Sequence, residues 1–255
     1  MFVRTILSAL IIGTMPMASA MAAGGHGEPI PSQDWSFSGP TGTYDKASLQ
    51  RGLKIYRNVC ANCHSLKRIY FRNLEALGYS EAQVKNIAAE YTVINEEPNE
   101  EGDMFERLAK PSDAFPSPFA NENAAKFANG GALPPDLSLI TKARANGSNY
   151  VYALLTGYEE APHGEELASS QSWNKYFPGH KLSMAPPLSD GLVGYEDGTP
   201  ETTEQYARDI AHFLTWAADP YMEERKGMGM KVILFLLVFA GILYAVKKKI
   251  WADAH

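Results

Sequence analysis

The sequence predicts a mainly α-helical domain with long surface loops, followed by one C-terminal transmembrane helix. Three observations point there. Apolar residues recur at three-to-four spacing behind recognisable N-caps, no stretch shows the alternation of a strand series, and Met228 to Val246 is almost wholly apolar. The chain has 255 residues and is 45% hydrophobic, which suits one globular domain of roughly 150 to 200 residues plus accessory segments.

The chain opens with a short positive region, Met1 to Arg4, then an apolar run from Thr5 to Gly13. Small-x-small patterns follow at Ala18-Ser19-Ala20 and Ala20-Met21-Ala22. That run is too short to span a bilayer, and its order is that of a secretory signal peptide, expected over residues 1–22. Gly24 to Pro40 is rich in Gly, Pro and Ser and reads as an extended lead-in. Asp45 can cap a helix reaching about Val59, with Leu49, Leu53 and Tyr56 on one face and Gly52 beside them. Ser80 and Gln83 make a capping box for a short helix carrying Val84, Ile87 and Tyr91.

Asn95 to Ser117 is acidic and punctuated by proline, so a long surface loop is expected. Leu133-Pro134-Pro135-Asp136-Leu137-Ser138 breaks the chain before a helix expected to reach Arg144, and another is expected from Asn149 to Tyr158. Thr199 should cap a further helix with Pro200 at its first position, and Tyr206, Ile210, Phe213, Leu214 and Ala217 form its apolar stripe before Pro220 stops it.

The last apolar stretch carries Lys231 as its only charge, near one edge, and Lys247-Lys248-Lys249 follows at once. At about 1.5 Å per residue it crosses a hydrocarbon core of roughly 30 Å. The lysines favour the cytoplasmic side, with Tyr244 and Trp251 near the interface. The expected layout is a signal peptide at 1–22, an extracytoplasmic domain at 23–225, a transmembrane helix at 226–247 and a cytoplasmic tail at 248–255. In a bacterium this places the domain on the periplasmic side of the inner membrane. The formal charge of −6 argues against nucleic acid and favours a basic protein partner.

Only two cysteines occur in the chain, and they lie in Cys60-Ala61-Asn62-Cys63-His64. Two thiols at this spacing can form thioethers to haem vinyl groups, and the adjacent histidine falls under the iron as proximal ligand. A thioredoxin-type dithiol would want a strand before the motif, whereas a helix is expected there. A zinc site would need further ligands at short spacing, and a structural disulfide would leave the histidine unexplained. The reading is one covalently bound haem c. For the sixth ligand the candidates are Met184 and His180, with Met104, His163 and His212 further out. Met184 leads because Pro186 and Pro187 hold its segment rigid and non-helical just before the last capped helix of the domain.

With these motifs in order, the chain resembles cytochrome c1, the haem-bearing subunit of the ubiquinol–cytochrome c oxidoreductase (cytochrome bc1) complex. The resemblance runs through Cys60 to His64, Gly131 to Ser138, Ala143-Arg144, Leu154 to Tyr158, Met184 to Leu188, Tyr195 to Pro200, Trp216 to Ala218 and the tail anchor. It implies a class I cytochrome c-like haem domain, thioethers at Cys60 and Cys63, and His64 and Met184 as axial ligands. It also implies that Arg144 meets a haem propionate, and that Pro134 or Pro135 supplies a carbonyl to the proximal histidine's N–H. Some relatives carry an extra disulfide near the methionine ligand, which this chain cannot form if both cysteines hold haem.

The resemblance implies an electron relay, not an enzyme by itself. It would take electrons from a Rieske iron–sulfur protein and pass them to a soluble c-type cytochrome, beside cytochrome b in a respiratory or photosynthetic complex. Two alternatives keep the same motif: a membrane-anchored c-type haem enzyme or gas sensor with an open iron site, and a free-standing anchored carrier. Glu90, Glu96, Glu97, Glu100, Glu101, Asp103 and Glu106 form an acidic run, and Glu159, Glu160, Glu165 and Glu166 a second one. Both could steer a basic cytochrome, with Glu96, Glu97, Glu100 and Glu101 the first candidates.

Overall fold

A computed structural model describes residues 27–95 and 97–252. The expected signal peptide, Glu96 and the last three residues lie outside the described residues. The chain is mainly helical, with α1 at Lys46–Asn58, α2 at Glu81–Ala89, α3 at Glu122–Ala128, α4 at Gly147–Thr156, α5 at Thr203–Ala218 and α6 at Met222–Ile250. Four very short strands make two antiparallel pairs: β1 (Thr92–Ile94) with β2 (Glu106–Leu108), and β3 (Ser172–Trp173) with β4 (Lys181–Leu182).

Local chemistry sets the helix starts. The Asp45 carboxylate accepts the Ala47 amide at 3.1 Å, and Ser80 and Gln83 close a reciprocal capping box on α2. α5 lies against both α1 and α4, and its Tyr206, Phe213 and Trp216 meet Leu49, Leu53 and Tyr56 in one core. Gly52 lets α1 and α5 close up, since a Cβ there would lie 2.3 Å from the Asp209 carbonyl oxygen and 2.5 Å from the Phe213 Cβ. A 3₁₀ turn at Phe71–Leu77 buries Phe71, Leu74 and Leu77 beneath α2.

Under this packing sits a buried ion pair. The Asp209 carboxylate, 0% exposed, accepts Arg51 Nε at 2.8 Å and Nη2 at 3.0 Å, the Tyr195 hydroxyl at 3.0 Å and the Gln205 amide at 3.0 Å. His212 is buried on the same helix among Trp35, Phe37 and Tyr44, where its Nε2 accepts the Asp45 amide at 3.2 Å. Burial pulls its imidazole down to about 4, so it is neutral at ordinary pH.

Four sequence expectations are corrected. The segment from Ser138 to Arg144 is a run of turns rather than a helix. At its start the Asp136 carboxylate takes the Ser138 amide at 2.9 Å, and at its end Asn146 adopts a left-handed conformation (φ 65°) that helix cannot pass. α5 begins at Thr203 with Thr202 as its cap, not at Thr199-Pro200. The Thr199 amide donates to Asp197, while the Glu201 carbonyl accepts the Gly191 amide and its carboxylate the Tyr195 amide. The stretch read as loop from Asn95 to Ser117 contains β2, too short for alternation to register. α6 also starts earlier than the apolar run. Its polar N-terminal end is tied to residues 37–44, where Glu223 accepts the Tyr44 amide at 2.7 Å and Lys226 donates to the Phe37 carbonyl at 2.6 Å and the Gly42 carbonyl at 3.1 Å.

Beyond that turn α6 presents apolar side chains outward. Its 29 residues extend roughly 44 Å at about 1.5 Å each, so the helix is long and apolar enough to cross a membrane. Lys248 lies over the Tyr244 ring at 5.8 Å and Lys247 over the Trp251 ring at 5.3 Å.

Candidate functional site

α1 ends at Asn58, and the cysteine motif follows on a 3₁₀ turn at Cys60–Asn62. The Cys60 carbonyl accepts the Cys63 amide at 3.1 Å and the His64 amide at 2.8 Å, so the backbone itself presents two thiols and an imidazole from one tight turn. Cys63 is exposed and Cys60 half-buried, and no disulfide joins them. Burial pushes the Cys60 thiol up to about 12, the opposite of the lowered thiolate that a dithiol redox site uses.

His64 is fixed from two sides. The Tyr56 hydroxyl donates to its carbonyl at 3.2 Å, and its Nδ1 lies 2.8 Å from the Pro135 carbonyl oxygen. A carbonyl can only accept, so Nδ1 carries the proton and the Nε2 lone pair is left for a metal. Burial holds the imidazole below the usual histidine range, while the Pro135 carbonyl and the Asp136 carboxylate work against that shift. The donor set of a c-type haem fits this turn: two unbridged thiols and a neutral imidazole with its far nitrogen free.

Pro135 is held by its neighbours. The Leu137 amide donates to the Ser65 carbonyl at 2.9 Å, the Arg68 amide to the Ser138 hydroxyl at 3.1 Å, and the Ser65 hydroxyl and Lys67 amide to Asp136 Oδ2 at 2.8 and 3.0 Å. Residues 64–68 and 135–138 therefore form one fastened pair of segments. Pro134 precedes the accepting carbonyl in the chain; the one that meets His64 belongs to Pro135.

Met184 is half-buried on the loop after β4. The Tyr158 hydroxyl, just beyond α4, donates to the Met184 carbonyl at 3.2 Å. Asn174 anchors this loop from inside, donating to the Leu154 carbonyl at 2.7 Å and accepting the Tyr176 and Phe177 amides. His180 has a local role there: it adopts φ 62°, stacks on Trp173 with centroids 4.8 Å apart, and its Nδ1 lies 3.2 Å from the Asn174 carbonyl oxygen. Met104 and His163 are solvent-exposed, and His212 is held in the aromatic cluster described above. Arg144 is exposed between the two halves in sequence, with its guanidinium at the Ala143 carbonyl and the Tyr150 hydroxyl.

The acidic residues divide into unequal groups. Glu97, Glu100, Glu101 and Asp103 are exposed on the connection between β1 and β2, with Glu106 on β2 itself, beside exposed Ile94, Phe105 and Leu108. Glu90, at the edge of that run, pairs with Arg57. In the second group Glu159 pairs with Lys175 at 2.7 Å and Glu165 with Lys181 at 3.0 Å, which weakens the field it projects. Site contacts of Asp136, Tyr158, Tyr56 and Asn174 are not legible in the sequence, although Tyr56 is marked there as a core position. The first two lie inside motifs that the sequence does display, but their partners are remote in the chain.

Residues 35–254 match the model of the Cytochrome C1 family. Among similar proteins, cytochrome c1 of Rhodospirillum rubrum is 46% identical, the alignment covering 96% of this chain and 96% of the relative. The mitochondrial cytochrome c1 heme protein of Saccharomyces cerevisiae is 47% identical over 92% of this chain and 76% of its own length. Cytochrome b/c1 of Bradyrhizobium diazoefficiens is 49% identical over 97% of this chain, which spans 39% of that longer protein.

Proposed function

On the premise that this chain belongs to the cytochrome c1 family, we propose that Cys60 and Cys63 would hold its haem c through thioethers and that His64 and Met184 would ligate its iron. Family membership makes the chain the haem-bearing electron-transfer subunit of a bc1 complex and not an enzyme by itself, consistent with cytochrome b and Rieske partners. The bound haem supplies one-electron chemistry, and the protein supplies ligands and surroundings. The observation that carries the assignment is the 2.8 Å contact from His64 Nδ1 to the Pro135 carbonyl, which fixes both the tautomer and the free nitrogen. Pro135 is the orienting partner of that ring, and Pro134 sets the rigid approach to it. Arg144, exposed and charged, is the residue for a propionate carboxylate.

Bacterial relatives and one apolar helix fit a single-pass membrane protein. We infer that the domain at 23–225 lies on the periplasmic side of the inner membrane, after removal of residues 1–22. The helix at 226–247 then crosses, with Lys247 at its cytoplasmic end and Lys248 and Lys249 in the tail at 248–255.

The soluble acceptor is a basic c-type cytochrome drawn by the acidic connection between β1 and β2. Complementary fields raise encounter rates by roughly ten- to a thousandfold, and salt screens them over about 10 Å. Reversing Glu96, Glu97, Glu100 and Glu101 to lysine should slow electron transfer to the soluble cytochrome steeply at low salt and little at high salt. Reduction by the iron–sulfur donor should be unchanged. Stopped-flow rates that match the parent at low salt would remove this connection as the docking surface.

A further inference from the structure

We propose that Asp136 is a positioning residue for the proximal ligand, holding the Pro135 carbonyl against His64 and placing a fixed negative charge behind its imidazole. The inference rests on the reading of His64 as an iron ligand. Asp136 sits between the two fastened segments, and each carboxylate oxygen has a defined task. Oδ2 accepts the Ser65 hydroxyl at 2.8 Å and the Lys67 amide at 3.0 Å, and Oδ1 accepts the Ser138 amide at 2.9 Å. Two of these donors belong to the turn that carries His64, and the third follows the acceptor's own segment. The carboxylate is thus the joint between residues separated by about seventy positions, and Pro135 is its immediate neighbour in the chain.

The joint holds an anion. Burial by itself would raise the Asp136 carboxyl, but the Lys67 amide, the Ser138 and Ser65 hydroxyls and the Ser138 amide more than offset it and hold it below the usual carboxylate range. That charge acts on the His64 imidazole against the effect of burial; it would strengthen the Nδ1–H donation to Pro135, make Nε2 a stronger donor to iron and favour the oxidised state. Hydrogen bonds to the carboxylate moderate that push. The residue therefore has a geometric effect and an electrostatic one, and the two can be separated.

Asp136→Asn in the full-length protein keeps the shape and an acceptor for the Ser138 amide, but presents an NH₂ group to the Ser65 hydroxyl and the Lys67 amide. The midpoint potential should shift upward across neutral pH, and thermal stability should fall. Ser65→Ala removes one donor while leaving the charge and the remaining bonds, so its potential should shift downward. A purely structural Asp136 would lower melting temperature in both variants without moving the potential, and that result overturns the proposal. If Asp136→Asn does not accumulate, Ser65→Ala decides alone: a downward shift supports the proposal, and no shift or an upward one overturns it. His64→Ala separates the underlying reading. Retention of the parent low-spin spectrum in that variant would overturn the ligand assignment together with this inference, whereas its loss, with an unmoved potential in Asp136→Asn, would overturn the inference only.

Discussion

Asp209→Ala is expected to destabilise the domain that precedes α6 by about 3–5 kcal/mol, the cost of leaving one partner of a buried ion pair without its buried counter-charge. The carboxylate is 0% exposed and accepts four hydrogen bonds, two of them from Arg51, whose side chain is only 15% exposed. Without Asp209, Arg51 retains Asp197 at 2.8 Å at the rim and the Ser48 hydroxyl at 3.1 Å, but its Nε loses its carboxylate partner in the interior. Against a typical total of about 5–15 kcal/mol, that loss is large. Replacing both members by apolar residues, as in Arg51→Met with Asp209→Leu, should recover most of it, because no unpaired charge remains. Denaturant unfolding of the detergent-solubilised protein followed by circular dichroism measures both. A loss below about 1 kcal/mol in Asp209→Ala would mean that water reaches this network and screens it.

The second large effect concerns Met184→Leu. The substitution keeps the bulk and removes the sulfur, so the fold should change by less than about 1.5 kcal/mol while the sixth coordination position opens. Redox titration should show a marked fall in midpoint potential, and carbon monoxide should bind the reduced variant where it does not bind the parent. His180→Ala is the informative companion. Its ring is engaged by Trp173 and the Asn174 carbonyl, so the loop should loosen with the potential little changed. Should Met184→Leu keep the parent spectrum and potential, another residue holds the iron, and His180 becomes the next candidate despite its stacking.

Local signals are legible in the sequence because their causes are local. The Asp45 cap, the Ser80 and Gln83 box and the apolar stripe from Tyr206 to Ala217 all depend on residues within a few positions of one another. The family resemblance rests on such runs and is matched by the family model over residues 35–254. The misses share a different cause. Thr199 looked like a cap, but Asp197 and Glu201 organise a turn there and leave the capping to Thr202. Helix-compatible residues after Ser138 were drawn into turns because Asp136 holds the segment's first amide. The early start of α6 depends on Phe37, Gly42 and Tyr44 far back in the chain, which accommodate charges that would otherwise begin a loop.

The proposed site divides the same way. Cys60, Cys63 and His64 are legible as a linear motif, and Met184 as a methionine beside two prolines. What chooses between Pro134 and Pro135, and what engages His180, is contact across the chain that no spacing reveals. Charge was the least legible property. The two acidic runs look alike on paper, yet Lys175 and Lys181 fold onto Glu159 and Glu165 of the second.

The most direct test of the account is peptide mapping of the unaltered protein by mass spectrometry after extraction with acid acetone. Haem should stay on the chain, and one peptide containing Cys60 to His64 should carry its mass with both sulfurs in thioether linkage. Haem that extracts freely, or a peptide whose two cysteines are joined to each other instead, would contradict it.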